Sequence, residues 1–355
     1  MSESHEVLDR RAAYELEIPG GWSVLSTTRV GDAWAPDLRY LYHTPFVKTA
    51  PQLELVRNLS ESGESFEALA RGGFGQRLRR KARSAVAARR RGKTETFDRP
   101  LHDARAVAPG NVAHLASELL PKLAWFRRHD LRPLVVLREN PNPTMKSFVE
   151  LAGFETHATD ATVRGPLVEA SSGVDYVYDR HLRDLLADFA PEGGWEEGLP
   201  EKVFIPRRGP RGLTRQAEIQ SALESRGYVT VYFEDVPLRR QWSLLRSARS
   251  VVGVHGAALG NLVFARHAPR VVEIFGAGYA VNCYRAMTHA LGGRWSSAFG
   301  RLTPEVIRNL DQRQQPRSCQ GMPVDCDPEA VLKALDIVEG RAAELPGVAD
   351  TNAGA

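Results

Sequence analysis

Short apolar runs alternate with amphipathic stretches through the second half of the chain. Residues 202–206 have the pattern of a short strand, 215–226 that of a helix stopped by Gly227, and 228–233 (YVTVYF) that of a β-rich strand. A helix over 237–248, a buried strand over Ser250–Val254, a helix over 257–265 and a buried strand over 271–275 (VVEIF) follow. Strands alternating with helices in this way predict right-handed βαβ units on a parallel sheet, so the second half is expected to be Rossmann-like. The first half shows the same alternation less clearly. Residues 1–60 hold short strand-like pieces at 22–30 and 38–43, and residues 76–91 read as a basic helix. At 111–126, Val112, Leu115, Leu119, Leu120, Leu123 and Phe126 recur every three or four positions, the helical period. A buried strand in 132–140 follows, then a short helix at 144–152 closed by Gly153, a strand-like piece near 162–168 and a helix near 179–190. The Pro-, Gly- and acid-rich stretch 191–200 is the best linker, and 301–355 carries one helix, at 328–340. The expected organisation is α/β, with domains at 1–194 and 195–302 and a helical tail at 303–355.

Composition narrows the class. The chain has 355 residues, 43% hydrophobic and 25% charged, with 30 Gly and 22 Pro, which excludes collagen, a coiled coil and wholesale disorder. That length favours two cores. Cys283, Cys319 and Cys326 cannot build a disulfide framework, and their spacing is poor for zinc. Acidic and basic residues interrupt any apolar core at the N-terminus, and the longest uncharged run, between Arg249 and Arg266, is too short and polar to span a bilayer. A cytoplasmic protein is expected. The net charge of +4 hides an uneven distribution. Residues 71–93 contain ten basic and no acidic side chains, and 202–215 is a second acid-free basic run.

Candidate chemistry concentrates in 249–275. Open α/β sheets bind ligands beyond the carboxyl ends of their strands. His255, Gly256, Ala257 and Ala258 lie at such an end, where backbone N–H groups at a helix start suit a phosphate. Gly256 and Ala257 allow close approach, His255 adds a donor, and Asn261 sits one turn further on. Glu273, near the end of the next strand, has the chemistry to accept from both hydroxyls of a ribose. By spacing alone, phosphate binding and ordinary packing both remain open.

The same segment, GVHGAALGNLVFA followed by VVEIF, resembles the motif of glycosyltransferase family 61. The resemblance extends upstream through FIPRRGPRGLTRQAEI, with Arg207 and Arg211 in the places of two spaced arginines, and through YFEDVPLRRQWSLLRSARSVVG, with Glu234 in a Glu position. NVAHLASELLPKLAW looks like the family's Asn-x-x-His helix, with Asn111 and His114. Thr214 and Arg215 depart from the family's Asn-acid pair. The resemblance implies a GT-B arrangement of two facing Rossmann-like domains and an inverting, metal-independent glycosyltransferase. Such an enzyme moves a sugar from a nucleotide donor, a UDP-sugar being expected, to a hydroxyl of a glycan or lipid-linked acceptor. No bound cofactor or metal is expected. The one Asp-x-Asp, Asp325 and Asp327, lies outside the expected sheet, so Arg207, Arg211, His255 and the 257–265 helix start are expected to hold the leaving diphosphate. The base that deprotonates the acceptor is expected from the N-terminal domain. His114 and Glu118, one helical turn apart, are the first choice, with Glu139, Glu234 and Asp235 as alternatives. Tyr232, Phe233 and Pro237 are candidates to flank the nucleotide base, and Tyr279, Asn282 and Tyr284 to face the donor sugar.

The 71–93 run has four readings: a solvated surface, a contact with an anionic membrane surface or lipid-diphosphate acceptor, a glycan contact or, ranked last, a contact with nucleic-acid phosphates. It has no interleaved aromatic platform and the chain has no zinc-finger or helix-turn-helix signature, so nucleic acid is not an expected partner. The alternative to catalysis is a non-catalytic module of the same fold that binds an anionic glycan or lipid-linked partner through 71–93.

Overall fold

The structure is a computed structural model that describes residues 5–26, 28–30, 33–35, 38–50, 52–58, 94–107, 110–170, 180–313 and 316–342. The 71–93 basic run lies outside the described residues. The fold is mixed α/β, and chain contacts divide it into two units. One comprises Met1–Tyr14, Pro51–Tyr176 and Leu185–Gly194; the other comprises Glu15–Ala50, Val177–Asp184 and Trp195–Ala355.

In the first unit, strands Leu101–Asp103, Leu134–Leu137 and Thr156–Ala158 form a parallel sheet in that order. Leu134–Leu137 (LVVL) is buried at every position, as expected of a central parallel strand. Strand Leu53–Asn58 pairs antiparallel with His5–Arg11 and with Val168–Ala170. The amphipathic stretch after Asn111 is helical to Arg128, and Leu115, Leu119, Leu120, Leu123 and Phe126 are all buried. Its second turn, Leu115–Leu119, is a π-turn in which the Leu120 N–H bonds to the Leu115 carbonyl. Pro121 follows at once. A proline has no N–H to continue the ladder, and the wider turn absorbs the mismatch. Gly153, at φ 82°, closes the Pro143–Leu151 helix by donating to Glu150 O at 2.9 Å.

The second unit is built on a seven-stranded sheet. Its order is Val229–Thr230, Lys202–Ile205, Ser250–Val254, Arg270–Phe275, Arg294–Phe299, Gly21–Leu25 and Arg39–His43. All pairs are parallel except the last. Two features differ from the sequence-based expectation. Residues 15–50 do not belong with the rest of 1–194: Gly21–Leu25 extends the C-terminal sheet by pairing with Arg294–Phe299. Nor is 303–355 only a tail. Helix Pro328–Glu339 buries Ala330, Val331, Ala334, Leu335 and Val338 against Val24, Val252, Val272, Ile274 and Ala298. That apolar stripe recurs at helical spacing and can be satisfied only by a core, which is why the helix packs on the sheet. Helix Gln216–Glu224 packs on the same face through Ile219 and Leu223 and ends at Gly227, φ 82°.

The opposite face of this sheet is unusual. One register row across four strands reads Gly253, Glu273, Ser297 and Ser23, and Glu273, Ser297 and Ser23 are each 0% exposed. Polar groups persist in an interior only when hydrogen-bonded. Ser23 Oγ bonds to Ser297 Oγ and, at 2.6 Å, to His43 Nε2. Gly253 is needed in this row because a Cβ there would lie 2.8 Å from Leu259 Cδ2.

Candidate functional site

The Ser250–Val254 strand delivers His255 to the carboxyl edge of the second unit's sheet. His255 Nδ1 lies 2.5 Å from Glu273 Oε1 on the neighbouring strand. Glu273 Oε2 accepts from Trp295 Nε1 at 3.0 Å. Both carboxylate oxygens are therefore engaged inside the protein, and Glu273 has no exposed surface. This corrects the expectation that Glu273 meets a ribose: its strand is covered, and the carboxylate holds His255 instead. The imidazole stacks on Phe275 with ring centroids 5.0 Å apart and meets the edge of Tyr279 at 5.4 Å.

Gly256 to Phe264 forms the next wall. Ala257–Phe264 is a 3-10 helix rather than the α-helix expected, and Ala257 and Ala258 in its first turn are half-buried. The turn is held by Tyr284, whose hydroxyl donates to Gly256 O at 2.7 Å. Tyr284 is therefore a buried support. Asn261 is also fully buried, which removes it from ligand contact. Its Nδ2 donates to Gln241 Oε1 at 3.2 Å, and Gln241 Nε2 donates to the carbonyls of Phe233 and Val236. Glu234 and Asp235 in that loop bind Arg208: the Arg208 N–H donates to Glu234 at 3.2 Å, its guanidinium bonds to Asp235, and its Cζ lies 4.2 Å from the Tyr232 ring centroid. The three segments that frame the site are thus cross-tied by side chains that do not face it.

Arg207 and Arg211 remain without such partners. Among the described residues, neither guanidinium makes a hydrogen bond or ion pair. Burial, and then the neighbouring Arg211 charge, pull the Arg207 pKa below the usual guanidinium value, against a smaller opposing pull from Glu234. The Arg207 head packs on Gly256 so closely that a Cβ at 256 would lie 2.2 Å from Nη1. Arg211, Val254, His255 and Tyr279 line a small, open cleft, closed on another side by Cys319, Gln320 and Met322. That last wall was not anticipated from the sequence. It arrives because Val324 bridges Leu213 and the Thr214 N–H donates to Val324 O at 3.0 Å. Asp325 and Asp327 complete the tie, Asp325 with Thr214 and Arg301, Asp327 with Arg215 and Arg301. The departures Thr214 and Arg215 therefore hold the C-terminal segment against the arginine loop.

In the first unit, His114 Nδ1 lies 2.5 Å from Glu118 Oε1, and the two side chains are 26% and 32% exposed. His114 adjoins the π-turn, a distortion that often marks functional sites. Glu139 is exposed, and its N–H donates to Asp160 at 3.5 Å.

Residues 97–272 match the family model Glycosyltransferase 61. The chain belongs to glycosyltransferase family 61. It is accordingly a sugar-transferring enzyme, with a sugar donor and a glycan acceptor as its general partners. The family 61 match includes His114, Glu118, Arg207, Arg211 and the His255–Asn261 turn, and ends one residue before Glu273. Trp295 and the Cys319–Asp327 wall lie outside it. A comparison with curated proteins gave no match. Among the described residues, no helix is long and apolar enough to cross a membrane.

Proposed function

We propose that this family 61 enzyme binds the diphosphate of a nucleotide sugar, a UDP-sugar, on Arg207, Arg211 and His255. It transfers the sugar with inversion, and without a metal ion, to a hydroxyl of a glycan or glycoconjugate acceptor. One observation carries the reading: two neighbouring guanidiniums, with no hydrogen bond or ion pair among the described residues, stand beside a histidine at the carboxyl edge of a parallel sheet. Like charges held together at partial burial are costly unless an anion joins them. The edge is where α/β sheets take ligands, and the Arg207 head seated on Gly256 puts a cation beside the start of the Ala257–Phe264 turn.

In the proposed single displacement, a base takes the proton of the acceptor hydroxyl. The acceptor oxygen bonds to the anomeric carbon as the bond from that carbon to the diphosphate oxygen breaks. The electron pair leaves with the diphosphate, whose charge grows as it departs. Fixed cations aimed at that charge supply the stabilisation a metal otherwise gives, about 3–4 kcal/mol per removed donor. His114 is the proposed base and Glu118, 2.5 Å from its Nδ1, the orienting partner. The GT-B arrangement of the two units, a cytoplasmic location and a peripheral membrane or lipid-linked acceptor contact through 71–93 belong to the same proposal, supported by family membership and by the charge of that run.

The test is thermal stabilisation by UDP, GDP and CDP in EDTA. UDP should stabilise the protein; no shift with any nucleotide would refute the donor site. His255→Ala should lose most transfer activity while remaining folded, and unchanged transfer would count equally against it.

A further inference from the structure

We propose that Trp295 is a positioning residue for His255, acting through Glu273, so that a Trp–Glu–His relay presents His255 to the donor diphosphate. The proposal rests on the donor-site reading and extends it to a residue outside the matched segment.

The register dictates the contact. Trp295 pairs with Val271 across the parallel strands, which places it on the face that carries Glu273, two residues further on. The indole N–H is a donor only, so Glu273 Oε2 is its acceptor at 3.0 Å. An ionised carboxylate also only accepts, so the proton in the 2.5 Å contact with His255 sits on Nδ1. With Nδ1–H committed inward, Nε2 is the ring atom left for the cleft. When the ring is protonated, Nε2 donates to an anion while Glu273 balances the imidazolium from behind. A carboxylate can rotate about its last bond. The indole removes that freedom by fixing one oxygen, so the other stays aimed at His255. Trp295 is itself confined: its ring meets His43 edge-on at 5.6 Å, the Arg285 Cζ lies 5.8 Å from its centroid, and a side chain at Gly21 would touch it at 3.0 Å. Arg285 is in turn anchored on backbone carbonyls of Pro19 and Thr44. Partners that orient metal-ligating histidines are worth about 10- to 100-fold in affinity or activity, and the low end of that range is taken for the same orienting task here.

The test is a double-mutant cycle with inorganic pyrophosphate as the probe. Trp295→Phe keeps the ring and deletes the N–H. It should weaken pyrophosphate binding about tenfold in the otherwise native protein, leave it unchanged in a His255→Ala background, and move the His255 ring signals in nitrogen-15 NMR of the ligand-free protein. Equal losses in both backgrounds, or unmoved His255 signals, would overturn the relay. If Trp295→Phe does not fold, Glu273→Gln serves instead: the Trp295 indole N–H resonance must shift, and an unshifted resonance refutes the contact. The two failures are separable. Full pyrophosphate affinity in His255→Ala removes the donor-site reading, whereas a strong His255→Ala effect with an additive Trp295→Phe removes only the relay.

Discussion

Gly256→Ala isolates the contribution of Arg207. The backbone at 256 is extended, φ 172° and ψ 178°, so alanine meets no conformational penalty there. The added Cβ would lie 2.2 Å from Arg207 Nη1, with Arg207 Cζ next at 3.5 Å and Val254 O at 3.8 Å. Only the tip of one flexible side chain is in the way. To restore ordinary contact at 3.4 Å, the guanidinium nitrogen must move by at least 1.2 Å, the difference from 2.2 Å. Folding stability should therefore be unchanged or slightly higher, since Gly→Ala in a compatible conformation adds about 0.4–1 kcal/mol. Binding should not be spared. A displacement of that size takes a charge-assisted contact of about 2.8 Å beyond hydrogen-bond range. The loss is about 1.5–3 kcal/mol, roughly ten- to a hundredfold in the UDP dissociation constant. Calorimetric titration of UDP into Gly256→Ala, Arg207→Ala and the double variant measures it. The two single variants should lose similar affinity, and the double variant no more than Arg207→Ala alone. Native affinity in Gly256→Ala, or additive losses in the double variant, would refute the placement of Arg207 on the donor.

Glu273→Ala should destabilise the second unit by about 1–3 kcal/mol in urea unfolding, because it leaves the Trp295 and His255 donors without their acceptor; an unchanged midpoint would contradict its role as a buried anchor. Burial, then the nearby Arg285 charge, depress the pKa of His43 below its ordinary 6.5, and burial likewise depresses that of His289. Both sites hold neutral imidazole, so the unfolded chain takes up protons first. Their stabilisation is complete above pH 6.5 and is lost as pH falls from 6.5 toward the folded-state values. His43→Gln keeps a hydrogen-bonding group for Ser23 and should flatten that part of the stability profile; a profile as steep as that of the native protein would show that His43 does not contribute.

Local pattern carried the central strands well. VVGV is uniformly apolar and VVEIF is apolar but for Glu273, as parallel strands covered on both faces require, and Leu115–Phe126 declared its helix by period alone. What escaped was long-range. GWSVL reads as a strand, but nothing in its residues says that it pairs with Arg294–Phe299 some 270 positions away. Glu273 in an apolar strand suggested an exposed end. Its true surroundings, the row with Gly253, Ser297 and Ser23, exist only once four strands are in register. The helix at 328–340 was legible, whereas its packing on the sheet was not. Of the site, Arg207, Arg211 and His255 were recognisable by motif and stand together in one unit. The cleft wall at Cys319–Met322 was not recognisable, because a single bridge between Leu213 and Val324 brings it there. The His114–Glu118 pairing followed from helical spacing, and the π-turn beside it could have been read from Pro121.

The central claim is that Arg207, Arg211 and His255 converge on one diphosphate. A crystal structure of the protein with UDP tests it most directly. The account predicts the diphosphate at the carboxyl edge of the Ser250–Val254 strand, within hydrogen-bond distance of the Arg207 guanidinium and His255 Nε2, with Glu273 and Asn261 out of contact. UDP bound elsewhere, or a ribose on Glu273, would contradict it.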